Sequence, residues 1–314
     1  MQIVRNHWAP VVSDDLSGQT VLITGASTGF GFRTAKRLAV GGAHVFASMR
    51  ERDGRNAQHA QALERFAAGS GLRLSTLEMD VTDDQSVSYA VARVVADGGR
   101  LDVVINNAGV WGPGVLEAYT IEDWRRLFEV NLFGAIRTTR ACLPVMRQQG
   151  RGLVVAISSL QARFILPYSG PYLASKWALE GAMQTFRYEM APLGVECVLV
   201  EPYDFLTEMK SKAAAWRAGD REIEAAYGQA AYVIEEFYMK PDPSRAGDPE
   251  RVVDAIEAVL RAPHGSRPGR VTVSNPMPQI EEINRLEEEM QSGLLPQMGL
   301  GHLLAVSSGT EGPG

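Results

Sequence analysis

Seven short apolar runs, each separated from the next by a helical stretch, set the limits on what this chain can fold into. They are Gln19 to Thr24, His44 to Ser48, Leu72 to Met79, Leu101 to Asn106, Gly152 to Ser158, Val195 to Val200 and Arg270 to Ser274. Their Val/Ile/Leu-rich character suits strands covered on both faces. Strand alternating with helix then implies an α/β fold: a doubly wound parallel sheet of about seven strands with helices on both faces. The helices carry start signals. Thr82 to Gln85 and Thr120 to Asp123 each place a cap with a return partner three residues on. Asp248-Pro249 places a cap before a proline at the first helical position.

The 314 residues, 45% hydrophobic and 22% charged, read as a single soluble domain. A net charge of −6 argues against a nucleic-acid surface. No run reaches the roughly 18 apolar residues of a membrane helix. Residues 1–16 form an N-terminal extension without the apolar core of a signal peptide. Cys142 and Cys197 fit a reducing compartment without disulfides, with the cytoplasm as the default, and both lie in apolar runs as core residues. None of the five His joins a ligand cluster, so no metal is expected.

Two regions break the alternation. Residues 203–247 form an insertion in which Ile223, Tyr227, Ala230, Ile234 and Phe237 recur at helical spacing, with Trp216 upstream. Either this is a helix packing its apolar face on the domain, or it is a helical lid over a bulky ligand, and the two are compatible. In the second region, 276–314, Ile280, Ile283, Leu286 and Met290 form a helical stripe, with Glu281, Glu282, Glu287, Glu288 and Glu289 largely off it. That reads as a solvated helix docked on its own subunit or a neighbour's, followed by a frayed tail from Ser307.

Thr24 to Gly31, which includes Gly25, Ser27, Thr28, Gly29 and Phe30, follows the first strand and opens a helix. Gly25 permits a tight turn there, while Gly29 and Gly31 let backbone approach a pyrophosphate and pack helix on strand. The alternative is a purely structural strand–helix turn. Where an NAD site expects a carboxylate at the end of the second strand, the chain has Met49 and then Arg50, with Arg55 further on. A guanidinium there matches the 2′-phosphate of NADP. Glu51 is the competing reading, a shifted acidic residue. Further on, Ser159 stands at a strand end, and Tyr172 and Lys176 share one helix face. An ammonium beside the phenol, with a positive nicotinamide ring, would favour the phenolate.

With these motifs together the chain resembles the short-chain dehydrogenase/reductase family from about Ser17 to Ser274. The residues that carry the resemblance are Thr24-Gly25-x3-Gly29-x-Gly31, Asp80-Val81, Asn106 to Gly109, Asn131, Ser159, Tyr172 and Lys176. The resemblance implies a Rossmann-type fold, homo-oligomers built through helices at about 121–148 and 171–191, and specific roles. Asp80 and Val81 would flank the adenine, and Asn107, Ala108 and Gly109 would line the cofactor. Asn131 would anchor a water in a proton relay through Lys176. Lys176 would also bind the nicotinamide ribose, and Thr207 the carboxamide. Tyr172 would be the acid/base of a reversible hydride transfer, with Ser159 polarising the reacting oxygen.

The expected activity is NADP(H)-dependent interconversion of a hydrophobic ketone or aldehyde and its alcohol. The rivals are an NAD-dependent secondary-alcohol dehydrogenase and a non-catalytic dinucleotide sensor, which should have lost Ser159, Tyr172 or Lys176. The substrate pocket is expected from Trp111, Leu160, Gln161, Arg163, Phe164, Tyr168 and the insertion, Tyr203 and Phe205 included, with Arg163 its one obvious charge. Pro202-Tyr203 departs from the family's Pro-Gly beside the nicotinamide. Tyr203 should keep an ordinary φ, with its ring either in the pocket beside Asp204 or turned to solvent.

Overall fold

The computed structural model describes residues 15–203, 205, 207–240 and 247–307, with Lys210 and Ala231 described in backbone alone. Most of the N-terminal extension, Asp204, part of the insertion and the tail beyond Ser307 lie outside them. Seven strands form one parallel sheet: β1 Thr20–Ile23, β2 His44–Met49, β3 Leu74–Glu78, β4 Val103–Asn106, β5 Gly152–Ile157, β6 Val195–Pro202 and β7 Arg270–Val273. Their order is β3-β2-β1-β4-β5-β6-β7. All seven apolar runs are strands, with ends displaced by no more than two residues.

Between strands run α1 Gly29–Val40, α2 Ala57–Ser70, α3 Asp84–Gly98, α4 Ile121–Phe128, α5 Gly134–Gln149 and α6 Gly170–Met190. The insertion holds α7 Met209–Lys212, α8 Arg221–Ala226 and α9 Gln229–Val233. It is followed by α10 Glu250–Arg261 and, after β7, by α11 Pro278–Gln297. Successive side chains along a strand face opposite ways, and the sheet therefore has two cores. Val21, Val45 and Val155 meet Leu38, Leu63 and Ile256 from α1, α2 and α10. Leu22, Phe46 and Val154 meet Val94, Met146 and Met183 from α3, α5 and α6. Each such side chain contributes about 1.5–3 kcal/mol by burial. Cys142 and Cys197 are buried and unpaired, and burial pushes both thiols up to about 12.

The caps follow the sequence with one shift. Thr120 and Asp123 form the expected capping box. Asp248 accepts from the Glu250 amide at 3.0 Å, just ahead of α10. At α3 the cap is Asp83, which accepts from the Ser86 amide at 2.7 Å. Thr82 bonds Asp80 instead.

Two expectations are corrected. The insertion is not one helix: Gly228 takes φ +55° between α8 and α9, and α9 runs into a π-helical turn, Ile234–Met239. In this wider turn Tyr238 is buried and Phe237 is 43% exposed, and both line the cavity at the carboxyl ends of the strands. α11, in turn, docks through its polar face. Glu287 pairs with Arg163 at 2.9 Å and Arg270 at 2.8 Å, Glu288 with Arg187 at 3.0 Å, and Asn284 donates to Glu201 at 3.0 Å. Ile280 is buried, whereas Ile283, Leu286 and Met290 stand 42–59% exposed.

Candidate active site

The strand order reverses between β1 and β4, and such a reversal opens a crevice at the carboxyl ends of the strands. A cavity of about 770 Å³ lies there. Its phosphate side is built by two segments locked together. The Thr24 hydroxyl accepts from the Asn107 and Ala108 amides, each at 3.0 Å, and Asn107 Nδ2 donates to the Thr24 and Gly25 carbonyls at 2.8 and 3.0 Å. Gly25 sits at φ +64°, and a Cβ there would come within 2.8 Å of Ala108 Cα. A Cβ on Gly31 would come within 2.5 Å of Asn107 Nδ2. Gly31 therefore serves this lock rather than the cavity wall, while Gly25, Ser27, Thr28, Gly29 and Phe30 line the cavity. The N-terminus of α1 has no side-chain cap and no acidic residue in its first turn. Open amides, a positive dipole end and glycine clearance fit a dinucleotide diphosphate.

At the end of β2, Met49, Arg50, Arg55 and Asn56 line the cavity, and Glu51 does not. Glu51 is held at φ +51° because its amide and that of Arg52 both donate to Glu78, at 2.8 and 2.6 Å. Its carboxylate pairs with Arg55 at 2.7 Å. Asp80 and Val81 line the cavity as the resemblance implies, with Asp80 Oδ1 also accepting from the Thr82 amide.

Ser159, Tyr172 and Lys176 all line the same cavity and are all buried. Ser159 caps a short 3-10 turn, accepting from the Gln161 amide at 3.2 Å, which fixes its hydroxyl at the end of β5. Burial pushes the Tyr172 phenol up to about 12, with the hydrogen bond to Ser159 pulling the other way. Burial, which disfavours the charged phenolate, thus favours the acid form of the phenol. Burial lowers the Lys176 ammonium to about 8, against the opposing charge of Glu180. Lys176 Nζ donates to the Ile157 carbonyl at 2.8 Å and lies 5.8 Å from the Tyr172 ring centroid. Asn131 sits in a π-helical turn, Glu129–Phe133, behind the cavity wall. Its amide accepts from Val110 N at 2.8 Å and donates to Val110 O at 2.9 Å and Ser175 Oγ at 3.0 Å. That geometry braces the backbone after β4.

Several pocket expectations move. Trp111, Gln161, Pro202, Tyr203 and Thr207 line the cavity as expected. Leu160 is fully buried in the core. Tyr168, at φ +64°, is absent from the cavity lining and packs its ring on Tyr238 at 6.2 Å. Arg163 is not the pocket's charge: it is buried among Glu180, Glu201 and Glu287, in a cluster that Arg270 completes. Phe164 stacks edge-on against Tyr203 at 5.2 Å and does not itself line the cavity. Phe205 reaches the cavity from the Phe30 side, its ring 5.9 Å away at 80°, and not from the aromatic cluster around Tyr172. Tyr203 keeps an ordinary φ.

The sequence reading missed Met209, Lys212 and Tyr238, all in the insertion. Tyr238, with Trp111, Tyr172 and Ala213, forms one apolar cluster, extended by Leu166, Met209 and Met239. The insertion is seated here because a Cβ on Gly112 would collide with the Trp216 carbonyl, and one on Gly114 would come within 2.6 Å of Ala218 Cβ.

Comparison with known proteins agrees with this architecture. A family model described as short chain dehydrogenase matches residues 19–218. The chain is 31% identical over 251 residues to the uncharacterized oxidoreductase YusZ of Bacillus subtilis (strain 168), covering 79% of this chain and 87% of that protein. It is 37% identical over 189 residues to 3-ketodihydrosphingosine reductase of Bacteroides thetaiotaomicron, covering 60% and 65%. Among solved structures, a metagenomic short-chain oxidoreductase in complex with NADP is 27% identical, with a TM-score of 0.65 over 83% of this chain and 99% of that one. A short chain dehydrogenase/reductase from Burkholderia phymatum in complex with NAD shares the fold, at 23% identity and a TM-score of 0.69 over 88% and 94%.

Proposed function

Because this chain belongs to the short-chain dehydrogenase family, we propose that it is an NADP(H)-dependent reductase of bulky hydrophobic ketones or aldehydes. Membership makes it an oxidoreductase acting between alcohols and carbonyls with a nicotinamide dinucleotide, which supplies or accepts the hydride. The observation that carries the finer reading is the make-up of the cavity. It holds Ser159, Tyr172 and Lys176 together with Arg50 and Arg55, and with the apolar wall of Trp111, Leu166, Tyr203, Met209 and Tyr238. Glu51, the carboxylate that would favour NAD, is engaged by Arg55 instead. A relative named as a 3-ketodihydrosphingosine reductase supports the reducing direction on an apolar carbonyl.

Gly25, Ser27, Thr28 and Phe30 would hold the cofactor's diphosphate side and Arg50 its 2′-phosphate. Asp80 and Val81 would flank the adenine, and Asn107, Ala108, Gly109, Pro202, Tyr203 and Thr207 the nicotinamide half. In this scheme Ser159 donates a hydrogen bond to the substrate oxygen and Tyr172 delivers the proton to it. A phenol held near 12 is protonated at neutral pH, the form that reduction requires. Lys176, held to the Ile157 carbonyl, binds the ribose, and Asn131 fixes Val110 beside the site. Asn131's part in a water relay belongs to the same proposal.

A cytoplasmic location belongs to the same proposal, on the ground that the buried free thiols Cys142 and Cys197 suit a reducing compartment. Among the described residues no helix is long and apolar enough to cross a membrane. Assembly through the helical stretches 121–149 and 170–190 is supported by the exposure of Ile121, Phe133 and Trp177 on them.

The test is initial rates of NADPH and NADH oxidation across aryl ketones, steroid-like ketones, long-chain keto lipids, short sugars and keto acids. NADPH with a bulky apolar carbonyl should give kcat/KM at least about tenfold above any short polar substrate. Preference for sugars or acids overturns the substrate reading.

A further inference from the structure

The insertion brings a cation to the phosphate end of the cavity. Lys212, the last residue of α7, donates from Nζ to the Thr28 hydroxyl at 2.8 Å, across 184 positions of sequence. Thr28 sits at the N-cap of α1 and makes no cap bond there, so its hydroxyl is free to accept from the insertion. Lys212, Thr28, Arg50 and Arg55 all line the same cavity. Partial burial holds the Lys212 ammonium below its usual value; the carboxylate of Glu208 opposes this, and Arg55 and Arg50 reinforce it. Among the described residues, neither Lys212 nor Arg50 has an ion-pair partner. Three cations thus line one cavity, and among the described residues Arg55 alone of them is in an ion pair. Glu208, one turn ahead of Lys212 on the same segment, lies toward Gly29, where an added Cβ would come within 3.7 Å of its Oε2.

We propose that Lys212 is a ligand for the cofactor's 2′-phosphate, so that the lid and the end of β2 grip the same anion from two sides. The proposal rests on the NADP(H) reading above. Among the described residues Lys212 and Arg50 are the two of these cations outside any ion pair, and a phosphomonoester accepts charge-assisted bonds from both. The segment carrying Lys212 then contacts the cofactor as well as bordering the substrate cavity, and NADP(H) gains a contact that NAD(H) lacks, because only the former has the group that Lys212 holds.

The test is equilibrium binding followed by nicotinamide fluorescence, with no substrate present, for wild type, Lys212→Ala and Lys212→Arg against NADPH and NADH. Lys212→Ala should weaken NADPH by about tenfold and leave NADH within about twofold, and Lys212→Arg should recover most of the loss. Unchanged NADH affinity in the same variant reports an intact fold. Equal weakening of the two cofactors, or no weakening of NADPH, overturns the proposal while a wild-type preference for NADPH keeps the underlying reading. A wild type that binds NADH as tightly as NADPH removes that reading and this proposal together.

Discussion

Lys176 shows at the scale of one residue how a role in the proposed chemistry and stability pull apart. Its ammonium has a folded pKa of about 8 against 10.5 unfolded, so between those values the unfolded chain binds more protons and stability rises with pH. Below pH 8 the charged group is a standing cost. Lys176→Met, measured by urea unfolding without cofactor at pH 7, should be more stable than wild type by about 2 kcal/mol once the lost bond to the Ile157 carbonyl is counted. The gap should shrink toward pH 10.5. A variant less stable at pH 7, or a gap that does not narrow, contradicts the assignment. That Ser159, Tyr172 and Lys176 meet in one cavity was legible in the sequence because residue type and short spacing carried it. Arg163 was not: an arginine two residues from a pocket-lining Gln161 looks available until the fold surrounds it with three carboxylates drawn from α6, β6 and α11.

Those carboxylates matter at the scale of elements. Glu201 is fully buried at the end of β6, and Glu180 lies one turn beyond Lys176 and accepts from Ser158 at 2.6 Å. Burial and the neighbouring Glu201 raise Glu180, while Arg270 and Arg163 pull it down. Arg270→Ala would leave Glu201 and Glu180 short of a partner and should cost about 3–5 kcal/mol. Arg285→Ala, which removes only exposed pairs with Glu282 and Glu289 along α11, should cost under about 1 kcal/mol. Comparable urea midpoints for the two variants would remove the buried cluster as the anchor of α11. Strands and capping boxes were readable because their signals are local. The orientation of α11 was not, since an apolar stripe ordinarily turns inward and here long-range ion pairs turn it out. The π-helical turn at Ile234–Met239 escaped a 3.6-residue period for a similar reason: the wider turn brings Tyr238 into the cavity wall beside Phe237.

At the scale of the whole molecule, the parallel sheet and its two cores bring Ser159, Tyr172 and Lys176 to one crevice, and the doubly wound sheet, though not its strand order, followed from the alternation of apolar runs with helices. The sequence contains the insertion as residues but not as a surface, because its seat depends on close approach between distant backbones at Gly112 and Gly114. The Tyr203 that replaces the family's glycine has its ring on Phe164 and lines the cavity wall, within reach of a bulky substrate. If this cavity reduces a carbonyl, Tyr172 is its proton donor, and removing one oxygen atom should stop the chemistry while leaving the cofactor bound. NADPH oxidation with a saturating hydrophobic ketone, by wild type and Tyr172→Phe, settles this when the NADPH Kd of each is measured alongside. Turnover should fall by about 10³-fold or more while Kd stays within about threefold. Turnover in Tyr172→Phe close to that of wild type would rule out Tyr172 as the donor.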